Sequence, residues 1–128
     1  MSSGARSHTA PPPSERRPVN LPRLAEMKAN GEPIVMVTAY DYPSATVAEQ
    51  AGVDVVLVGD SAANVVLGYP GTEQVSMDEM VMLGKAVRRG LRTPLMVGDM
   101  PAATAVPPRS SGERSRSRSE WAQVVFGT

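Results

Sequence analysis

Two stretches of this chain end alike: Val55-Val56-Leu57-Val58-Gly59-Asp60 and Leu95-Met96-Val97-Gly98-Asp99. Each opens on an apolar run with no polar alternation, so neither face of such a strand suits water. Strands of this kind belong to parallel sheets that are covered on both sides. Helical periodicity and a glycine precede each of them, Gly52 before the first and Gly90 before the second, and both glycines read as helix stops. A chain patterned this way is a series of βα units.

The unit recurs three times. Ile34 to Val37 is the first strand, Pro43 to Ala51 the first helix, and Val55 to Val58 the second strand. Ser76-Met77-Asp78-Glu79 has the form of a capping box. The helix that it starts places Met77, Met80, Val81, Gly84 and Val87 on one face and turns Lys85 and Arg88 towards water. Pro94 then introduces the third strand, at a position where a missing amide is tolerated. Ahead of these units, Leu24 and Met27 stand three residues apart within Leu21 to Asn30, and Asn30-Gly31 supplies a stop. This predicts a short amphipathic helix that covers one end of a core.

Serial βα units imply a parallel sheet with right-handed crossovers, either doubly wound or a (β/α)8 TIM barrel. A full barrel takes about 250 residues. With 128 residues, a barrel reading leaves room for its first three or so strands, with an unpaired edge and an uncovered apolar face. Such a chain is expected to fold poorly and to associate. The flanks differ in composition: prolines 11, 12, 13 and 18 mark residues 1–20 as a disordered leader, and an Arg-Ser tract marks 102–128 as a disordered tail. Residues 21–101 carry the regular pattern.

Composition narrows the chemistry. There is no cysteine, and the single histidine, His8, lies in the leader, so any metal must be held by oxygen. Asp60 and Asp99 each stand just past a buried strand, and Asp41 follows the first strand in a comparable position. In parallel α/β folds that edge is where ligands bind. Carboxylates converging there suit a hard cation such as Mg²⁺. The competing reading for each Asp is a turn or a helix cap. Ser61 has the same two readings, a cap for a short helix or a contact for a substrate carboxylate. Gly68 and Gly71 around Tyr69-Pro70 read as an ordinary turn, and there is no P-loop or GxGxxG to suggest a nucleotide. Thirteen basic and thirteen acidic residues give no net field towards nucleic acid or an anionic membrane, and no apolar run approaches the roughly 20 residues of a bilayer span. The expected compartment is the cytoplasm.

Longer ordered motifs add a resemblance. Thr38-Ala39-Tyr40-Asp41-Tyr42, the run from Ala51 to Ser61, Val65-Val66-Leu67-Gly68-Tyr69 and Ala86-Val87-Arg88-Arg89-Gly90 closely resemble the opening half of ketopantoate hydroxymethyltransferases, over about Leu21 to Pro101. The Ala62-Ala63-Asn64 variant is similar to actinobacterial members. The resemblance implies a (β/α)8 barrel, usually a homodecamer, that transfers a hydroxymethyl group from 5,10-methylenetetrahydrofolate to 3-methyl-2-oxobutanoate. In such enzymes Mg²⁺ chelates the keto acid and a general base forms the enolate. Carried over residue by residue, Asp60 and Asp99 match metal-linked carboxylates, and Asp60, Ser61 and Asp99 match keto-acid contacts.

The pattern departs from the family after Pro101. No position matches the family's substrate-binding lysine, its further metal-linked glutamate or its glutamate base, so the chain itself is expected to be inactive and to form no decamer. Gly-Ser-Tyr codons written GGC AGC TAC and read one base later give Ala-Ala-Thr, as at Ala102-Ala103-Thr104. This suggests a frameshift beside the Pro101 codon. Two other readings stay open: a Mg-dependent keto-acid enzyme of the phosphoenolpyruvate mutase and isocitrate lyase group, and an interaction protein whose tail, with Arg109, Arg114, Arg116 and Arg118 against Glu113 and Glu120, contacts RNA or a partner.

Overall fold

The computed structural model describes residues 11–12, 15–102 and 123–126. It begins with helix α1, Leu21–Ala29, whose first turn is closed by the Asn20 side chain accepting from the Arg23 amide at 2.9 Å. Met27 is its buried residue, as the three-residue spacing predicts. Strand β1, Met36–Thr38, leads into α2, Tyr42–Ala51, and then into β2, Val55–Val58. A short helix α3, Ala62–Val65, and one 3₁₀ turn, Thr72–Gln74, precede the long helix α4, Met77–Gly90. Strand β3, Leu95–Asp99, follows, and β4, Gln123–Phe126, ends the described chain.

The sheet runs in the order β1-β2-β3-β4, with β1, β2 and β3 parallel as the βα rhythm requires. Val37 pairs with Val56, Val56 with Met96, and Val58 with Gly98. Val56, Val58 and Met96 pack with Ala45, Ala48, Met80, Leu83 and Val87 of the helices into one core. Alternation along the strands puts Val55, Leu57, Leu95 and Val97 on the opposite face, and Val55, Leu95 and Val97 are buried there too. Both faces of β2 and β3 are thus largely covered, the expectation drawn from their unbroken apolar runs. A partial α/β barrel of three parallel strands accounts for the arrangement.

Four details differ from the sequence reading. The first strand starts at Met36 and not at Ile34: the Val35 amide donates to a side chain, at Asp54 Oδ2, and its carbonyl accepts from the amides of both Asp54 and Val55. Gly90 is the last residue of α4, where the sequence places the stop, but it is not a left-handed cap: Leu91 caps the helix, and a methyl group at position 90 would lie 2.8 Å from Ala45 Cβ and 3.1 Å from the Tyr42 carbonyl oxygen. The glycine lets α4 cross α2 closely. Gly52 stops α2 in the left-handed conformation at φ 76°. The apolar set expected on one face of α4 divides in two: Met80 and Val87 enter the core with Leu83, whereas Met77, Val81 and Gly84 line a groove beside it. Finally, β4 pairs antiparallel with β3, Val97 opposite Val125, inside the stretch read as a disordered tail.

Residues 103–122, most of that tail, and residues 1–10, 13 and 14 of the leader lie outside the described residues. The end of the leader is anchored: the Val19 amide donates to the Thr93 carbonyl at 2.8 Å, and the Arg16 guanidinium donates to the Glu49 carbonyl. Among the described residues no helix is long and apolar enough to cross a membrane.

Candidate functional site

Parallel pairing and register bring the two Val-Gly-Asp endings side by side. Because Val58 pairs with Gly98, Gly59 and Asp60 leave β2 where β3 reaches Asp99. The Asp60 amide donates to Asp99 Oδ2 at 3.1 Å across the 39 residues between them. The two carboxylates, drawn from different strands, therefore share the C-terminal edge of the sheet, where parallel α/β folds hold their ligands.

Asp60 is half-buried, and its Oδ2 is buried without a hydrogen-bond partner among the described residues. Burial pushes its carboxyl above the ordinary aspartate value. The nearby Asp99 charge pushes in the same direction, and the amides of Ser61 and Asp60 oppose both. A methyl group at Gly59 would lie 3.1 Å from Ser61 Oγ and 3.6 Å from Asp99 Oδ2, so the missing side chain keeps open the gap between them. An orphaned buried carboxylate oxygen, a second carboxylate beside it and a glycine-sized gap fit a hard, oxygen-seeking cation. Two carboxylates are the whole acidic set, for no group of three or more His, Cys, Asp or Glu comes together among the described residues.

Asp41 does not join the pair. It caps α2, its carboxylate accepting from the Ser44 amide at 2.8 Å and from the Ser44 hydroxyl, and these bonds hold its carboxyl below the ordinary value. The capping reading holds for Asp41. Ser61 shows the reverse: it stands at the N-cap of α3 yet makes no side-chain cap bond. Its Oγ instead lies 2.7 Å from the Tyr40 hydroxyl. Tyr40 comes two residues after β1 and packs part-buried against the core. In the sequence alone Tyr40 has no role of its own; its one local signal is an aromatic hydroxyl just beyond the C-terminal end of a strand.

Further from the pair, the capping box forms as read. Ser76 Oγ accepts from the Glu79 amide at 3.1 Å, and Glu79 Oε2 accepts from the Ser76 amide at 2.8 Å. Tyr69 donates to Glu79 Oε1 at 2.6 Å, which ties the segment after α3 to the start of α4. An apolar groove of about 330 Å³ runs between α4 and β3, lined by Met77, Val81, Gly84 and Met96 with Lys85 and Arg88, and touches the site at Asp99.

A family model described as Ketopantoate hydroxymethyltransferase matches residues 18–116. The chain is 52% identical over 97 residues to a 3-methyl-2-oxobutanoate hydroxymethyltransferase of Aeropyrum pernix, covering 76% of this chain and 35% of that protein. It is 63% identical over 75 residues to the enzyme so named in Geobacillus kaustophilus, covering 59% of this chain and 27% of that one. It is 50% identical over 93 residues to a mitochondrial 3-methyl-2-oxobutanoate hydroxymethyltransferase of Arabidopsis thaliana, covering 73% and 27%. The chain thus spans between a quarter and about a third of the length of these relatives.

Proposed function

The chain belongs to the ketopantoate hydroxymethyltransferase family, and from that premise we propose that Asp60, Asp99 and Ser61 form the cation- and keto-acid-binding part of a transferase site. The reaction proposed for the whole site moves a hydroxymethyl group from 5,10-methylenetetrahydrofolate to 3-methyl-2-oxobutanoate, giving 2-dehydropantoate. The observation that carries this reading is the meeting of Asp60 and Asp99 at one sheet edge, with Asp60 Oδ2 buried and unpartnered.

The donor set suits Mg²⁺, which takes one or two carboxylates and keeps its remaining positions for water and substrate oxygens. When bound, Mg²⁺ supplies Lewis-acid polarisation of the keto group, which makes the adjoining C–H removable. Asp60 and Asp99 hold the cation. Asp99 has a second duty, since it fixes the Asp60 backbone through the amide it accepts from. Ser61, with no cap bond to satisfy, offers its hydroxyl to the keto-acid carboxylate. Proton removal needs a base within hydrogen-bond reach, and no third acidic group joins the pair among the described residues. The part of the site described here therefore binds, and proton removal falls to a group outside it. Its partners on this reading are a keto acid and a folate, both small and water-soluble, which fits the cytoplasm.

Calorimetric titration of the chain with 3-methyl-2-oxobutanoate, with and without Mg²⁺, tests the proposal. Binding should require Mg²⁺, weaken at least about tenfold in Asp60→Asn and in Asp99→Asn because an amide loses the anionic charge, and proceed without product when methylenetetrahydrofolate is added. Metal-independent binding, or full affinity in both variants, would remove the pair from the site.

A further inference from the structure

Tyr40 is the polar group at the sheet edge to which this reading gives no work. Its ring packs against the core, and its backbone amide donates to Ser44 Oγ at 3.3 Å in the first turn of α2. The phenol is thus carried by a fixed backbone, with its oxygen 2.7 Å from Ser61 Oγ. Either oxygen can donate in that bond, and the choice between them has consequences.

A serine hydroxyl has one hydrogen and two acceptor lone pairs, whereas an ionised carboxylate only accepts. When Ser61 donates to Tyr40, its lone pairs face the ligand and repel a carboxylate. When Tyr40 donates to Ser61, the Ser61 hydrogen is released for the ligand. Successive O–H bonds pointing the same way also polarise and strengthen one another. A carboxylate at Ser61 therefore selects the second arrangement, and the phenol sustains it.

We propose that Tyr40 is a positioning residue, whose hydroxyl donates to Ser61 and turns the Ser61 hydroxyl towards the carboxylate of the bound keto acid. This rests on the reading of Ser61 as a keto-acid contact. It goes beyond that reading by predicting discrimination: the Tyr40 hydroxyl should matter for an anionic ligand and not for a neutral ligand of the same shape.

The test uses the 128-residue chain with Mg²⁺ and two probes, 3-methyl-2-oxobutanoate and its methyl ester, which keeps the keto oxygen and loses the charge. Tyr40→Phe removes one oxygen and leaves the ring in the core. It should weaken the acid about two- to tenfold, the range of one hydrogen bond between neutral groups, and leave the ester unchanged. Ser61→Ala should weaken the acid at least as much, and adding Tyr40→Phe to it should weaken it no further. Replacing Tyr40 by 3-fluorotyrosine, a stronger donor of nearly the same shape, should restore or raise affinity for the acid, and this arm decides the question if the Phe variant fails to fold. Equal losses for acid and ester, additive losses in the double variant, or a fluorotyrosine chain as weak as Ser61→Ala would each overturn the proposal. A folded parent chain that binds neither probe would overturn the site reading itself, and the assignment of Tyr40 with it.

Discussion

Asp60 carries an energetic cost in the folded chain. Its Oδ2 is buried without a partner beside the charge of Asp99, and like charges close together are unfavourable. Asp60→Asn should therefore keep or raise the metal-free thermal transition while it weakens Mg²⁺-dependent keto-acid binding. A fall in both would recast Asp60 as a structural residue. Glu49 is the opposite case. It is 6% exposed, and its carboxylate accepts from the Arg92 and Thr93 amides at 2.7 and 3.0 Å and from the Thr93 hydroxyl at 2.7 Å. Burial pushes its carboxyl up, but these bonds, with Arg16 nearby, outweigh burial and hold it below the ordinary value. A carboxyl lowered in the folded state stabilises fully above the ordinary glutamate value and loses that contribution as pH falls through the folded value. Glu49→Gln should cost about 2 kcal/mol at neutral pH in urea unfolding, and the gap to the parent should close in acid. A gap that does not change with pH would mean that packing, and not the charge, is what Glu49 provides. Asp60 and Asp99 were legible because their strands end alike. Glu49 was not, since its partners lie 43 and 44 residues away and nothing local marks them.

Among the elements, helix boundaries were easier to read than strand starts. A capping box is a short-range pattern, and Ser76 and Glu79 form it as spelled. Gly90 ends α4 as read, but a glycine at the end of a helical run has two meanings, a left-handed stop or room for a neighbour, and only the crossing with α2 decides between them. Gly90→Ala and Gly84→Ala form a matched test. At Gly84 nothing lies within 4 Å of an added methyl, so alanine should gain up to about 1 kcal/mol of helix propensity. At Gly90 the methyl would lie 2.8 Å from Ala45 Cβ, and overpacking of about 1–3 kcal/mol should outweigh that gain. Opposite shifts in thermal midpoint are expected. Stabilisation by both would mean that α4 can slide away from α2 at little cost. The antiparallel β4 was beyond sequence reasoning, because periodicity carries no information about strand direction.

For the whole molecule, the three parallel strands have one edge paired by β4 and the other at β1, where Ile34, Val35 and Met36 are exposed. Exposed apolar edge strands recruit other chains, and α4 adds Val81, in the groove, and Met82 to the exposed apolar surface. The chain should associate with rising concentration, and Met36→Lys should shift it towards monomer in light scattering. A parent chain that stays monomeric throughout would show that this edge is protected. The sequence pattern anticipated an open edge, though not which strand would bear it, since order within a sheet follows from long-range pairing. That pairing has a consequence for the carboxylates as well. Asp60 and Asp99 meet only while Val58 stands opposite Gly98. A slip of one residue would part them by about 3.3 Å and turn β3 over. The pair therefore works as a gauge of strand alignment: a cation bridging it would clamp β2 to β3, and a change anywhere in the connection from Ser61 to Pro94 that shifts this alignment would abolish binding without touching a ligand.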